Sequence, residues 1–232
     1  MSNILILGGG APGTSRFGNQ FVQKARSEGH RVINLSHKDY STGNIDDIYI
    51  DYYDLDQAKS VIEKVKESMP IVDVLYFNQN GEGYPHDEED IFSEPWPLKY
   101  HNLIQTTLVI PHLLISKLYP NNLVEGSRVL FASSHMAFQY ERTYYPSAVG
   151  YPGGKSFVTH FMASAARCRT KKVTFSAICP AFLYDDPKLY ADAFRITYDY
   201  ILNHDDSANG KIFIQVDGLE QPFVESYIRY EK

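Results

Sequence analysis

The sequence has little cysteine, one tryptophan and no long hydrophobic segment. Its two cysteines, Cys168 and Cys179, are too few to form a disulfide framework, and they are not spaced as the Cys-x-x-Cys pair of a metal site. We expect both to be buried thiols. Because no apolar run approaches the roughly 18 residues of a membrane span, we expect no membrane partner. The first residues, Met1 to Asn3, carry no basic segment of a secretion signal, so we expect a cytoplasmic protein.

Positive charge is also scarce, with 22 lysines and arginines against 28 acidic residues and a formal net charge of -6. A nucleic-acid-binding protein normally presents a basic surface, so this balance argues against nucleic acid as a partner. The length of 232 residues suits a single domain spanning residues 1–232. Tyrosine, in contrast, is abundant with 18 copies, so any tyrosine motif has to be weighed against chance.

Short aliphatic segments alternate with longer helical patterns along the whole chain. The predicted strands are Asn3–Gly8, Arg31–Leu35, Ile48–Ile50, Val72–Phe77, Ser127–Ala132, Lys172–Ile178 and Lys211–Val216. The predicted helices are Arg16–Glu28, Asp54–Ser68, Pro97–Tyr119, Tyr151–Cys168 and Pro187–Asn203. Because repeated strand–helix–strand units form parallel sheets, this order predicts a Rossmann-type, doubly wound α/β fold of about seven strands with helices on both faces.

A glycine-rich turn follows the first predicted strand and leads into the first predicted helix. Glycines let the backbone turn sharply and approach a pyrophosphate, and the amides at a helix N-terminus attract its charge. A plain tight turn is the alternative interpretation. If the turn binds a dinucleotide, the predicted contacts are Gly8, Gly10, Gly13, Arg16, Phe17 and Gly18.

The end of the second predicted strand is where such a fold meets the adenosine ribose. An acidic residue there would bind the 2′-hydroxyl of NAD, but this chain has Ser36, His37 and Lys38. Together with Arg16, these residues suit a 2′-phosphate, so we predict a preference for NADP(H), with NAD(H) possible. Ordinary surface cations are the alternative interpretation.

Tyr151 and Lys155 are four residues apart at the start of a predicted helix, so one turn places them on the same face. A nearby ammonium lowers the pKa of a phenol, which then exchanges a proton with a developing alkoxide more readily. Ser134, after another strand, would orient the carbonyl by a hydrogen bond. Gly153 and Gly154 would let a planar nicotinamide pass close by. The alternative for the pair alone is an exposed helical contact.

These residues together resemble the short-chain dehydrogenase/reductase family over nearly the whole chain. Ser134, Tyr151 and Lys155 match that family's catalytic serine, tyrosine and lysine, and Asn102 matches the asparagine that holds a water in its proton relay. The resemblance implies a small carbonyl or alcohol substrate, and a homodimer or homotetramer formed through the helices 97–119 and 151–168.

The resemblance also implies further cofactor contacts. Asp51 matches the residue that contacts the adenine, and the segment from Asn78 through Asn80 to Gly81 resembles the Asn-Asn-Ala-Gly motif. Pro180 and Leu183 fall where the family holds the nicotinamide carboxamide, although the usual threonine is missing. The predicted substrate contacts are His135, Tyr145 and Tyr184.

The altered glycine turn and the missing threonine keep other functions open. The glycine turn is longer than usual and carries Arg16 at the place of a glycine, and its length resembles the loop of the enoyl reductases. Those enzymes use a Tyr-x6-Lys pair, whereas position 148 here is Ala148, so the catalytic pair favours the ordinary branch. The alternatives are a non-catalytic dinucleotide-binding protein, or an enoyl reductase, epimerase or dehydratase. We expect no metal.

Overall fold

The computed structural model describes residues 1–10, 17–37, 44–79, 95–134, 137, 150–180, 187–215 and 218–222. Within these residues, one eight-stranded sheet has the order β3-β2-β1-β4-β5-β6-β7-β8. The strands are β1 (Asn3–Leu7), β2 (Arg31–Ser36), β3 (Asp47–Tyr49), β4 (Val74–Phe77), β5 (Arg128–Ala132), β6 (Thr174–Cys179), β7 (Lys211–Ile214) and β8 (Leu219–Pro222). All neighbouring strands are parallel except β7 and β8.

Helices cover both faces of this sheet. They are α1 (Phe17–Ser27), α2 (Leu55–Ser68), α3 (Pro95–Ile104), α4 (Ile110–Leu118), α5 (Gly150–Cys168) and α6 (Pro187–Asn203). One buried cluster joins residues of α2, α4 and α5 to the sheet, and the other joins residues of α1 and α6 to the opposite face. The predicted doubly wound α/β fold is therefore confirmed. None of the described helices has the length and apolar character that would let it cross a bilayer.

The alternating side chains of β1 explain why its sequence is continuously aliphatic. Leu5 and Leu7 belong to one buried cluster, whereas Ile4 and Ile6 belong to the other. Successive side chains of a strand point to opposite faces, so a strand covered on both sides needs apolar residues at every position. This strand lies inside the sheet, between β2 and β4, and its carboxyl end leads into the glycine turn.

Three features differ from the prediction. The eighth strand, β8, pairs antiparallel with β7 and was absent from the expected set of about seven. The helix expected at 97–119 begins at Pro95 and is interrupted by a π-helical turn, Gln105–Val109, between α3 and α4. Cys168 is exposed, and only Cys179 is buried, so the expectation of two buried thiols was wrong for Cys168.

The π-helical turn has a cause in the sequence. The Ile110 amide donates to the carbonyl of Gln105, five residues back. A proline follows at position 111, and it has no N–H with which to continue either helical ladder. Its ring would also crowd the carbonyl of Thr107 in a regular α-helix. A π turn therefore stands in place of a regular α-helical turn before the proline.

Candidate active site

Parallel pairing brings four strand ends to one edge of the sheet. Leu7 of β1 lies opposite Phe77 of β4, and Phe77 lies opposite Phe131 of β5. Ala132 lies opposite Ile178 of β6. The residues that follow these strands, predicted separately from the sequence, are therefore neighbours at the carboxyl edge, where ligands bind in open α/β sheets.

The glycine turn and the end of β4 are in close contact. Gly8 has a φ of +89°, and a Cβ placed on it would lie 2.7 Å from the Gln79 amide nitrogen. A Cβ on Gly18 would lie 2.6 Å from the Asn78 Nδ2 and 2.7 Å from the Gly8 carbonyl oxygen. Both positions therefore require glycine on steric grounds. The turn brings its backbone up to the sheet edge, as a pyrophosphate site needs.

The Asn78 side chain belongs to the support of this turn. Its Nδ2 donates to the Gly8 carbonyl at 2.9 Å, and its Oδ1 accepts from the Tyr76 hydroxyl at 3.0 Å. Tyr76 is fully buried, and burial raises the pKa of its hydroxyl, which keeps it a donor. Asn78 therefore has both amide atoms bonded to the protein, which fixes the path of the turn.

Phe17 begins α1, but its ring is in the core. The ring packs against Phe21, Tyr76 and Phe194, at centroid distances of 6.1, 6.2 and 5.2 Å. A contact from this residue to a dinucleotide would therefore come from the backbone at the start of the helix, consistent with a site formed by amide groups.

A polar group that the sequence prediction missed lies beneath the turn. Asn34, in the middle of β2 and 3% exposed, approaches the Gly10 carbonyl with its Nδ2 at 3.4 Å. The same Nδ2 donates to Asp47 Oδ1 at 3.2 Å, and Arg26 forms an ion pair with that oxygen at 3.0 Å. The signal was an asparagine inside an otherwise aliphatic strand. This network ties β2, β3 and α1 to Gly10, where φ is +74°.

The residues predicted near the adenosine lie together at the ends of β2 and β3. Ser36 is buried, and its carbonyl accepts from the Ile50 amide at 2.9 Å. The His37 ring contacts the Tyr52 ring with centroids 5.2 Å apart. Asp51 accepts a hydrogen bond from the Tyr53 amide at 2.9 Å. The fold therefore brings together three of the predicted cofactor contacts at this end of the sheet: Ser36, His37 and Asp51.

Lys155 is the most unusual group of the site because its side chain is only 2% exposed. Its Nζ donates to the Ala132 carbonyl at 2.8 Å and lies 3.4 Å from the Gln79 carbonyl. These oxygens come from the ends of β5 and β4, so the ammonium sits where the two strands finish. Burial lowers the pKa of Lys155 to about 8, and neighbouring Cys179 partly opposes that shift. Burial also raises the pKa of the Cys179 thiol to about 12.

The other predicted catalytic residues lie in α5, after β5 and in α3. The backbone of Tyr151 lies in α5, one turn before Lys155, and its side chain is outside the described part of the structure. Ser134 lies two residues after the end of β5 and is partly exposed, and its carbonyl accepts from the Ala137 amide at 3.0 Å. Asn102 lies near the end of α3, and its carbonyl accepts from the Thr106 hydroxyl at 2.8 Å.

Gly154 serves helix packing. A Cβ on it would lie 3.3 Å from three side-chain atoms of Leu103, so its lack of a side chain lets α5 approach α3 closely. No described atom lies within 4 Å of a Cβ placed on Gly153. Of the two glycines predicted to face a nicotinamide, Gly153 is the one with open space among the described residues. Pro180, at the end of β6, is partly exposed at the same edge.

Several predicted contacts lie outside the described residues, and no geometry is assigned to them. They are Gly13, Arg16, Lys38, Asn80, Gly81, His135, Tyr145, Leu183 and Tyr184.

The strand order and the two helical layers match those of short-chain dehydrogenase/reductase structures. The chain is similar to a Caenorhabditis elegans protein described as the carbonyl reductase Sniffer, with a TM-score of 0.71 and 14% identity over 93% of this chain and 97% of that one. It is also similar to a Shigella flexneri protein described as a short-chain dehydrogenase, in complex with NADP, with a TM-score of 0.67 and 17% identity over 92% and 97%.

A third similar structure is the aldohexose dehydrogenase of Thermoplasma acidophilum, with a TM-score of 0.61 and 20% identity over 83% of this chain and 76% of that one. At these identities the similarity establishes the fold. No protein-family profile and no curated protein sequence matches the chain.

Proposed function

We propose that this protein is an NAD(P)(H)-dependent oxidoreductase of the short-chain dehydrogenase/reductase family, which transfers hydride between a nicotinamide and a carbonyl or alcohol carbon of a small molecule. The observation that carries the proposal is the buried ammonium of Lys155, held by strand-end carbonyls one helical turn from Tyr151. Burying a lysine carries a large desolvation cost. Such strongly perturbed groups cluster at functional sites.

The chain's own residues fit a dinucleotide, because the lack of a Cβ at Gly8 and Gly18 lets the glycine turn pack against the end of β4, which brings its backbone to the edge of the sheet. A bound nicotinamide would supply or accept the hydride. In the reducing direction, Tyr151 donates a proton to the carbonyl oxygen as negative charge develops there. Ser134 donates a hydrogen bond to the same oxygen. Lys155 favours the phenolate of Tyr151 and binds the nicotinamide ribose, and Asn102 holds the proton path.

The proposal includes a preference for NADP(H). The segment Ser36-His37 at the end of β2 carries no acidic residue for an adenosine ribose. The carboxylate of nearby Asp47 forms an ion pair with Arg26 and accepts a hydrogen bond from Asn34. We expect NADPH to quench the protein's fluorescence at lower concentration than NADH does. Equal affinity, or tighter binding of NADH, would overturn the preference and leave the oxidoreductase proposal standing.

The decisive experiment is Tyr151→Phe, assayed with NADPH on a panel of ketones and aldehydes. Losing a general acid should lower turnover about 100-fold or more while cofactor affinity is kept. Tyr119→Phe is the matched control, because Tyr119 follows α4 at the opposite edge of the sheet. There its hydroxyl accepts a hydrogen bond from the Thr170 amide. Wild-type turnover in Tyr151→Phe would refute the mechanism.

The same assay, extended to substrates with a conjugated C=C bond, separates the alternatives. Cofactor binding without turnover of any substrate would indicate a non-catalytic dinucleotide-binding protein. Reduction of C=C but not C=O substrates would indicate an enoyl reductase.

Because Leu98, Ile104 and Phe157 are exposed on α3 and α5, we also propose a homo-oligomer formed through these helices. Light scattering on the purified protein should give at least twice the 26.5 kDa chain mass, and a monomer would refute it.

A further inference from the structure

We propose that Gln79 is a positioning residue whose side chain replaces the backbone donor that Pro111 lacks. In that role it holds the π-helical turn, and with it Asn102, at a fixed place relative to Lys155. The positional part of this inference stands on the geometry alone, and its consequence for catalysis rests on the proposed function.

The missing donor follows from the helical register. In the π turn, the Ile110 amide donates to the Gln105 carbonyl. The next bond of the same type would run from residue 111 to the Thr106 carbonyl, but Pro111 has no N–H. The Ile110 amide, which would serve Thr106 in an α-helix, is already used. The Thr106 carbonyl therefore lacks a backbone donor from its own helix, and a buried carbonyl left in that state is costly.

Gln79 supplies the donor from another part of the fold. Its Nε2 donates to the Thr106 carbonyl at 3.1 Å, and the side chain is buried, with 8% exposure. Gln79 lies two residues after the end of β4 and 27 residues before Thr106 in the chain. This bond crosses between a strand end and a helix, so it fixes the distance between the central sheet and the turn.

The backbone of Gln79 contacts two further parts of the site. Its carbonyl lies 3.4 Å from the Lys155 Nζ, and its amide nitrogen would be 2.7 Å from a Cβ on Gly8. One residue therefore touches the glycine turn, the buried ammonium and the helical turn that follows Asn102. The Thr106 hydroxyl continues the connection, because it donates to the Asn102 carbonyl at 2.8 Å.

A double-mutant cycle tests the substitution of one donor for another. Gln79→Met keeps the volume and removes the donor, and should raise the equilibrium constant for unfolding about 10-fold. Pro111→Ala restores a backbone N–H in the helix. In that background, Gln79→Met should raise the constant about 3-fold or less, because the Thr106 carbonyl then has a partner. Equal effects in the two backgrounds would overturn the inference.

The matched control is Gln215→Met, because Gln215 is also a buried glutamine whose Nε2 donates to a helix carbonyl, that of Ala193. Its effect on unfolding should be the same with Pro111 and with Ala at that position. Hydrogen exchange gives the local readout: Gln79→Met should speed exchange of the Ile110 amide, and Gln215→Met should not. Unchanged exchange of Ile110 in Gln79→Met would also overturn the inference.

The catalytic consequence has its own readout. Loosening the Lys155 contact should raise the pKa of Tyr151, so the alkaline limb of kcat/KM for carbonyl reduction should move to higher pH in Gln79→Met and stay in place in Gln215→Met. A limb that stays in place in Gln79→Met would refute the catalytic role. If no variant or wild-type protein reduces carbonyls, the proposed function fails, while the cycle and the exchange still decide the role of Gln79.

Discussion

Replacing Gly18 with alanine tests whether the glycine turn is held against β4 as described. Gly18 is the second residue of α1, and its missing Cβ would lie 2.6 Å from Asn78 Nδ2, 2.7 Å from the Gly8 carbonyl oxygen and 2.9 Å from the Gly9 carbonyl oxygen. Two of these atoms are backbone and cannot rotate away. The turn or the helix start must therefore shift.

The magnitude follows from two opposing effects. Overpacking a tight contact costs about 1–3 kcal/mol. Alanine gains up to about 1 kcal/mol over glycine in a helix interior, and less in the first turn. We expect Gly18→Ala to lower the free energy of unfolding by about 1–2 kcal/mol. For a domain of this size, that corresponds to a fall in Tm of about 2–8 °C.

Gly153→Ala is the matched control because Gly153 is also a helical glycine, and no described atom lies within 4 Å of its missing Cβ. It should leave the free energy of unfolding unchanged or raise it by up to about 1 kcal/mol. Urea unfolding followed by circular dichroism measures both variants. A Gly18→Ala protein as stable as Gly153→Ala would refute the close contact between the turn and β4.

Three further predictions concern polar side chains, two of them buried and one half-buried. Burial lowers the pKa of His204 from 6.5 to about 4, so the folded protein holds this side chain in its neutral form. The free energy of unfolding should therefore fall by about 3 kcal/mol as the pH is lowered from 6.5 to 4. In His204→Phe the urea midpoint should depend less on pH over this range. Burial lowers the pKa of Lys155 from 10.5 to about 8, so the free energy of unfolding of the wild type should rise by about 3 kcal/mol between pH 8 and 10.5, relative to that of Lys155→Met. Stability curves of the two proteins that stay parallel over this pH range would contradict the prediction. Asn78→Ala leaves the Tyr76 hydroxyl and the Gly8 carbonyl without their partner, so the free energy of unfolding should fall by about 1–3 kcal/mol and NADPH should bind more weakly. Urea and NADPH titrations that match those of the wild type would show that the Asn78 amide is dispensable.

The order of strands and helices could be predicted because the hydrophobic pattern of the sequence agrees with the burial of side chains in the structure. The aliphatic run from Ile4 to Leu7 indicates a strand covered on both faces, and the two buried clusters confirm it. The strand β8 escaped prediction because Leu219–Pro222 is short, contains a glutamate and a proline, and forms only by pairing with β7. The π turn escaped because Pro111 lies within an apolar helical run, where periodicity continues across the break.

The site could be predicted in part for a similar reason. Spacing alone places Lys155 one turn from Tyr151, but it does not show that Lys155 is buried or that the carbonyls of Ala132 and Gln79 hold it. Those contacts depend on the register between β4, β5 and α5, which the local sequence does not encode. The support from Gln79 was missed for the same reason, because its partner lies on a helix far along the chain.

The contact between Gly154 and Leu103 has a consequence for how the site can change during evolution. Each of these residues is the direct sequence neighbour of a proposed catalytic residue, Lys155 in one helix and Asn102 in the other. Their contact sets how far apart the two helix backbones lie at the level of the reacting groups. A larger residue at position 154 would displace both neighbours in one step, so a mutation there acts on two functional groups together. The separation of these two proposed catalytic residues therefore depends on a residue that has no functional group of its own.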